Sequence, residues 1–95
     1  MKQGFVYILT NKPQGVLYIG VTSNLARRIY EHQHDIIEGF SKRYRLKWLV
    51  HVEIFERVDE AIAREKQLKN WHRDWKINLV EAANPQWTDL TESFS

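Results

Sequence analysis

Two short runs of β-branched and aromatic residues, separated by a turn-forming segment, constrain the fold of this chain more than any other feature. The runs are residues 5–10 and 16–20, and the segment between them contains Pro13 and Gly15. Such runs are typical of buried strands, whereas Asn, Pro and Gly are typical of turns. The sequence therefore predicts a β-hairpin in which Tyr7 and Tyr18 can share one face.

The pattern downstream predicts one more strand and two helices. Polar residues 22–24 offer N-cap candidates for a helix over residues 25–34, and residues 48–55 form a partly alternating apolar run typical of a strand. A second helix is predicted over residues 60–75. The order β-β-α-β-α predicts an α+β fold, with a small three-stranded antiparallel sheet flanked by helices.

The second predicted helix carries an apolar stripe with a carboxylate beside it. Asp59 is the candidate cap, and Leu68, Trp71 and Trp75 recur at the spacing of a buried helix face. Glu65 lies next to this face, where the loss of hydration costs a carboxylate free energy unless a cation contacts it. The sequence therefore predicts a cationic partner for Glu65.

Length and charge indicate one domain with an acidic end. The chain has 95 residues, enough for a single core. Residues 1–80 hold all 14 Lys and Arg but 9 of the 12 Asp and Glu, a net charge of +5, whereas residues 81–95 hold the other 3 acids. We expect a domain at residues 1–83 and a polar, acidic, loosely attached tail at residues 84–95.

The absence of cysteine and of long apolar runs narrows the function classes. A chain without cysteine forms no disulfide, no Cys-based zinc site and no thiol nucleophile. No apolar run approaches the length that crosses a bilayer. We therefore expect a cytoplasmic protein without a membrane partner.

Basic residues cluster in two places along the chain. The first cluster holds Lys42, Arg43, Arg45 and Lys47, and the second holds Arg64, Lys66, Lys69, Arg73 and Lys76. Such clusters neutralise phosphates and make binding dependent on salt, but charge runs also form ordinary solvated surfaces. Charge alone permits a nucleic-acid partner and leaves the solvated surface as the alternative.

Several short motifs resemble those of one nuclease superfamily. They are residues 6–8 (Val-Tyr-Ile), residues 17–20 (Leu-Tyr-Ile-Gly), Arg28, His32, Glu65 and the runs 41–44, 64–71 and 84–90. In this order and spacing they resemble the GIY-YIG nucleases, in particular the short stand-alone subfamily with a URI-type domain. The chain departs from the pattern at Phe5 and Val6, where Gly and Ile are usual, and at His51, where the subfamily often has Tyr.

The resemblance implies a set of catalytic residues. Tyr7, alone or with Tyr18, would orient or deprotonate the attacking water. Arg28 would bind the scissile phosphate, with Arg27 as the alternative in register. His32 would act as an acid or base, or as a phosphate donor. An ordinary tyrosine has a pKa of about 10, so a nearby cation or metal must favour its phenolate.

The resemblance also implies one metal ion and an asparagine. Glu65 would hold a single divalent cation, Mg²⁺ or Mn²⁺, since hard cations prefer oxygen ligands. Asn78 or Asn84 would match the family asparagine. A zinc site built from the histidines is disfavoured, because His32 and His34 do not share a helix face.

The resemblance therefore implies a metal-dependent endonuclease that hydrolyses phosphodiester bonds in nucleic acid. DNA is the expected substrate, and repair or recombination is the expected process. Phosphate contacts are expected from Lys42, Arg43, Arg45 and Lys69. Two alternatives stay open: a nucleic-acid-binding module of the same fold without turnover of its own, or a protein-interaction domain. A protein partner that supplies substrate specificity is compatible with the nuclease.

Overall fold

The computed structural model describes residues 2–94. Met1, the first residue of the predicted domain, and Ser95, the last residue of the predicted tail, lie outside the described residues. Within that range the chain forms three strands and five helices. In chain order these are β1 (Gly4–Thr10), β2 (Leu17–Thr22), α1 (Leu25–Gln33), α2 (Phe40–Arg43), β3 (Trp48–Phe55), α3 (Val58–Lys69), α4 (Arg73–Ala83) and α5 (Thr91–Phe94). None of these helices has the length and apolar character needed to span a membrane.

The strands form one antiparallel sheet in the order β2-β1-β3. This confirms the predicted hairpin and the α+β class, with helices packed against the sheet. Within the hairpin, Tyr7 lies opposite Gly20 and Leu9 lies opposite Tyr18. Because side chains two apart on a strand share a face, the two tyrosines lie on the same side of the sheet.

Alternation along the central strand β1 divides its side chains between two hydrophobic cores. The first core contains Val6 and Ile8 with Ala61 and Leu68 of α3, and the second contains Tyr7 and Leu9 with Leu25 and Ile29 of α1. We call the two sides of the sheet the α3 face and the α1 face. Val6, Tyr7, Ile8 and Leu9 of β1 are all fully buried or nearly so. The central strand therefore serves both cores, and Tyr7 belongs to the α1 face.

A bulge in β3 interrupts this alternation. Ile8 pairs with His51 and Leu9 pairs with Leu49, so Val50 is an extra residue in β3. A bulge of this kind brings two consecutive side chains to one side of a sheet. Val50 accordingly packs in the core of the α3 face, next to His51 on the same side.

The second predicted helix is wrong in its extent. The structure ends α3 at Lys69 and begins α4 at Arg73, so the predicted helix over residues 60–75 is two helices. The Asn70 side chain donates to the carbonyl of Lys66 at 3.1 Å, which satisfies a group that a continuing helix would have used. The redirected chain leaves Trp75 55% exposed, so it is not part of the core stripe.

The start of α3 also differs from the prediction. Its N-cap is Arg57, and Asp59 lies in the first helical turn. The Asp59 carboxylate accepts two hydrogen bonds from the Arg57 guanidinium, both at 3.1 Å. An acidic residue in the first turn interacts favourably with the helix dipole, so Asp59 still marks the start of α3 although it is not the N-cap.

The segment after α4 packs against the sheet, so the expectation of loose attachment is wrong. Trp87 is 3% exposed and lies in the core of the α3 face. Leu90 and Phe94 pack against the core of the α1 face. The backbone N–H of Leu90 also donates to the carbonyl of Leu49 in β3 at 2.7 Å. The segment therefore contacts both faces, while the division into residues 1–83 and 84–95 stays a prediction.

Candidate active site

Helix α1 positions two polar side chains above the sheet. Asn24 is its N-cap, and the Asn24 side chain accepts a hydrogen bond from the backbone N–H of Arg27 at 3.2 Å. Arg28 and His32 follow one turn apart, next to the buried Ile29. Because positions four apart lie on one side of a helix, both side chains can contact the same partner on the sheet.

That partner is Tyr7, in the middle of β1. The Tyr7 hydroxyl lies 3.0 Å from Nε2 of His32. The Tyr7 and Tyr18 rings have centroids 6.3 Å apart, and the His32 ring meets both edge-on at 5.7 Å. A side-chain carbon added at Gly20 would collide with the Tyr7 hydroxyl and ring. Gly20 therefore provides the space that the Tyr7 phenol occupies.

Burial controls the protonation of this group. Burial raises the pKa of Tyr7 to about 12, although the neighbouring Arg28 guanidinium acts in the opposite direction. Burial, together with the charge of Arg28, lowers the pKa of His32 below its usual 6.5. At neutral pH the phenol is therefore protonated and the imidazole is neutral, so the phenol can donate its proton toward Nε2 of His32.

Arg28 is the charged member of the group and is only partly buried. Its side chain is 35% exposed and lies 3.4 Å from the Glu31 carboxylate. Desolvation lowers the pKa of Arg28, but the hydrogen bond to Tyr7 and the nearby Glu31 outweigh it, so the net shift is upward. Arg28 thus keeps its positive charge and can reach a phosphate from outside.

Ser41 is a further member that the sequence interpretation did not identify. Its hydroxyl oxygen lies 2.9 Å from Nδ1 of His32, and the residue is 4% exposed. Both nitrogens of the His32 ring are therefore paired, one with Tyr7 and the other with Ser41. The sequence gives no local signal for this contact, because it depends on α2 packing against α1.

Glu65 lies on α3, a different helix from the one that carries Arg28 and His32. Helix α3 packs on the α3 face of the sheet. The Glu65 side chain is 14% exposed, and its carboxylate forms an ion pair with Nζ of Lys69 at 2.8 Å. Lys69 is thus the cationic partner that the sequence predicts for Glu65. Among the described residues, no hydrogen bond or ion pair connects Glu65 with Tyr7 or Arg28.

The donor set around Glu65 suits only some metal ions. No group of three or more His, Cys, Asp or Glu side chains converges anywhere in residues 2–94. Zinc sites need three or four protein ligands, whereas Mg²⁺ often binds through one or two carboxylates and completes its shell with water and substrate phosphate. A single carboxylate such as Glu65 therefore fits Mg²⁺ or Mn²⁺.

Comparison with known proteins identifies the family. Residues 3–78 match the model of the GIY-YIG catalytic domain. The chain belongs to the GIY-YIG family. Its relatives include three UPF0213 proteins. The one from Staphylococcus saprophyticus is 31% identical over 80 residues, 84% of this chain and 96% of the relative. The one from Staphylococcus haemolyticus is 33% identical over 85% of this chain and 98% of the relative. The one from Clostridium perfringens is 35% identical over 82% of this chain and 83% of the relative. No solved structure matches the chain significantly.

The predicted phosphate-binding residues of this GIY-YIG domain lie in two places, three of them at α2 and the fourth on α3. Lys42, Arg43 and Arg45 are exposed and line a groove of about 680 Å³ on α2 and the following turn. Lys42 pairs with Glu38 at 2.8 Å. Lys69 is held by Glu65 on the other face. The structure thus groups the three α2 residues and separates them from Lys69.

The remaining candidates lie outside the tyrosine cluster of the GIY-YIG domain. Arg27 is exposed and pairs with Glu31 at 3.4 Å. Asn78 is exposed on α4, beside Trp71 and Trp75. Asn84 is buried, and its amide donates to the carbonyls of Val50 and Thr88 at 3.1 and 2.9 Å. Because these donors are already used, Asn84 connects the C-terminal segment to β3.

Proposed function

We propose that this protein is a metal-dependent endonuclease that hydrolyses phosphodiester bonds in DNA. One observation carries the proposal. A buried phenol, Tyr7, is hydrogen-bonded to a neutral imidazole, His32, directly beside the guanidinium of Arg28. This arrangement combines a proton-transfer pair with a phosphate-binding cation, and both are needed to cleave a phosphodiester.

Arg28 would bind the scissile phosphate. Its planar guanidinium presents paired N–H donors that match phosphate oxygens, and it keeps its charge at any physiological pH. The negative charge on those oxygens grows as water attacks, so a fixed cation stabilises the transition state more than the ground state. The partial exposure of Arg28 leaves it accessible to a DNA strand.

Tyr7 and His32 would handle the proton of the attacking water. With a pKa near 12, Tyr7 is protonated before the reaction and cannot act as a base by itself. It passes its proton to Nε2 of His32 and accepts a proton from water on the same oxygen. In this assignment Nδ1 of His32 carries a hydrogen and donates it to Ser41. Tyr18 lies beside both rings and would orient the water.

Glu65 would hold one divalent cation, Mg²⁺ or Mn²⁺, through its largely buried carboxylate. Such an ion, when bound, would neutralise charge on the phosphate oxygens. Lys69 must move away from the carboxylate to make room, and its side chain is 53% exposed and flexible enough to do so. Repair or recombination is the process in which we expect this cleavage to be used, on the family resemblance alone.

A second function is favoured by the position of Glu65. The carboxylate is already paired with Lys69, and within residues 2–94 no hydrogen bond or ion pair links it to the tyrosine cluster. A protein that binds nucleic acid through Arg28 and the α2 residues, but cuts only with a partner that completes the site, is consistent with that arrangement. A protein partner that supplies substrate specificity belongs to this alternative.

The test is a cleavage assay on labelled single-stranded, duplex and branched DNA and on single-stranded RNA, with Mg²⁺, Mn²⁺ or EDTA. We expect metal-dependent cutting that Glu65→Gln and Tyr7→Phe both abolish. Glu60→Gln is the matched control, because it removes an exposed carboxylate from the same helix. Binding without cutting on every substrate would favour the module that needs a partner, and cutting by Glu65→Gln at the parental rate would refute the metal assignment.

A further inference from the structure

A row of aromatic rings extends from the tyrosine cluster to the surface of α2. The Tyr18 and Phe40 rings are stacked, with centroids 6.3 Å apart and planes 20° apart. The Phe40 and Tyr44 rings follow at 4.6 Å. Phe40 is 46% exposed and Tyr44 is 45% exposed. The row therefore begins beside Tyr7 and ends in solvent.

Positive charge accompanies the exposed end of the row. Lys42, Arg43 and Arg45 line the same groove as Phe40. The Arg43 guanidinium lies 5.8 Å from the centre of the Tyr44 ring. The Glu38 carboxylate lines the same groove and pairs with Lys42 at 2.8 Å. The groove thus combines apolar ring faces with an excess of cations, which suits an anionic ligand with flat apolar faces.

This segment is attached to the catalytic group by a buried contact. Ser41 lies between Phe40 and Lys42 in the chain, and its hydroxyl contacts His32 at 2.9 Å. The rings and cations of α2 are therefore fixed relative to Tyr7 and Arg28. A strand whose scissile phosphate lies at Arg28 would extend its neighbouring nucleotides along this groove.

We propose that the α2 segment binds unpaired nucleotides of a single-stranded DNA region, with bases stacked on Phe40 and Tyr44 and phosphates on Lys42 and Arg43. The inference rests on the proposed function and names its substrate class. Paired bases in a duplex hide their flat faces, whereas unpaired bases expose them to aromatic side chains. Exposed rings and cations close together on one surface segment are the combination that binds single strands without sequence preference.

The experiment measures DNA binding without cleavage, so it is independent of the nuclease assay. Fluorescence anisotropy with a labelled single-stranded oligonucleotide, its duplex and the matching RNA is recorded in the Glu65→Gln background at several salt concentrations. Phe40→Ala and Tyr44→Ala are compared with Trp75→Ala, which removes an exposed ring from α4. Phe40→Leu keeps the apolar bulk and removes the stacking face, in case Phe40→Ala alters α2.

We expect each aromatic variant to weaken single-strand binding about 10-fold, the loss typical for one stacked base. The salt dependence should stay unchanged in these variants, because no phosphate contact is lost. Lys42→Ala should instead reduce the slope of log affinity against log salt by about 0.7, the value for one phosphate on a single strand. Duplex binding should not respond to Phe40→Ala, and Trp75→Ala should bind like the parent.

Three results would overturn the inference. Parental single-strand affinity in both aromatic variants would exclude stacking on α2. Equal losses on duplex and single-stranded DNA would show that the rings do not select unpaired bases. Tighter binding of the RNA than of the DNA would reject DNA as the ligand. If instead binding follows the expectation but the parent cuts nothing, the proposed nuclease activity fails while the binding surface stands.

Discussion

Two polar clusters lie on opposite faces of the same small sheet, and they are built on different principles. On the α1 face, Tyr7, His32 and Arg28 form the candidate active site. On the α3 face, Glu53 accepts hydrogen bonds from the Arg64 guanidinium at 2.8 and 3.2 Å. His51 contacts the same carboxylate at 3.0 Å. We call this second group the Glu53 network.

Every charge in the Glu53 network has a protein partner. The hydrogen bonds from His51 and from Arg64 hold the pKa of Glu53 at about 2, in spite of burial. Arg64 also donates to Gln67 at 2.7 Å and lies 5.1 Å above the Trp71 ring. Such a closed network connects β3 to α3 and has little to offer a ligand.

The α1 cluster differs because burial, not pairing, dominates its titration. Burial is the leading influence on Tyr7 and on His32, and it keeps both of them neutral. Their hydrogen bonds connect them to each other, so a proton can move within the cluster. The comparison teaches that charges fully paired within the protein indicate structure, whereas desolvated neutral groups beside a partly exposed cation indicate chemistry.

The largest expected effect separates the two arginines. Arg28→Ala should lower the rate of cleavage at least about 100-fold, as expected for a lost transition-state donor, with little change in melting temperature. Arg64→Ala should lower stability by about 2 kcal/mol, because it leaves Glu53 partly buried without its main cation. Its folded fraction should still cut within a few-fold of the parent. Kinetics and thermal unfolding of both variants give the check, and the reverse pattern would invert the roles of the two faces.

The next effect concerns acid stability. The pKa of Glu53 is lowered from 4.5 to about 2, so its stabilising contribution is present above pH 4.5 and is lost as pH falls toward 2. The contribution is at most about 3 kcal/mol. Urea unfolding at pH 7, 4 and 3 should show a steeper loss for the parent than for Glu53→Gln. Parallel pH dependences would show that Glu53 is not strongly paired in solution.

A smaller effect is expected at Ser41. Ser41→Ala removes the partner of Nδ1 of His32. We expect kcat to fall about 10-fold with KM unchanged, a part of the roughly 100- to 10,000-fold that a positioned acid or base contributes. Ser41→Thr keeps the hydroxyl and should restore part of the rate. The ¹⁵N chemical shifts of His32 should report a change of tautomer in Ser41→Ala only. An unchanged tautomer and an unchanged kcat would remove Ser41 from the proton path.

The smallest effect is expected at Lys69. Because its ammonium occupies the Glu65 carboxylate, Lys69→Ala should increase affinity for the divalent ion by up to about 5-fold, the range of a partly exposed ion pair. Mn²⁺ binding followed by electron paramagnetic resonance measures this directly. Lys66→Ala, an exposed lysine of the same helix, is the control. Weaker Mn²⁺ binding in Lys69→Ala would show that the lysine assists the metal and does not compete with it.

The parts of the fold that the sequence predicted depend on local signals. The hairpin follows from two apolar runs around a turn, and Asn24 caps α1 through a bond to a residue three positions away. The break after α3 was missed because the apolar spacing that joins Leu68 to Trp75 continues across it. Trp87 was missed because a single buried ring lies within a polar segment.

The candidate site shows the same limit. Tyr7, Tyr18, Arg28 and His32 were identified from motif order, and the structure brings these four together. Ser41 lies nine residues beyond His32 in an irregular stretch, so only the packing of α2 reveals it. The aromatic row has the same origin, since Tyr18 and Phe40 are far apart in the chain.

The packed C-terminal segment has a consequence for solubility. β3 is an edge strand, and the segment covers part of its open side: Asp89 accepts from the Leu49 N–H, Leu90 donates to the Leu49 carbonyl, and Asn84 donates to that of Val50. Unpaired edge groups of this kind invite a strand from another molecule. Residues 84–90 thus protect the edge of β3 against pairing with a strand of another molecule. Removing them would expose that edge even if the sheet still folded.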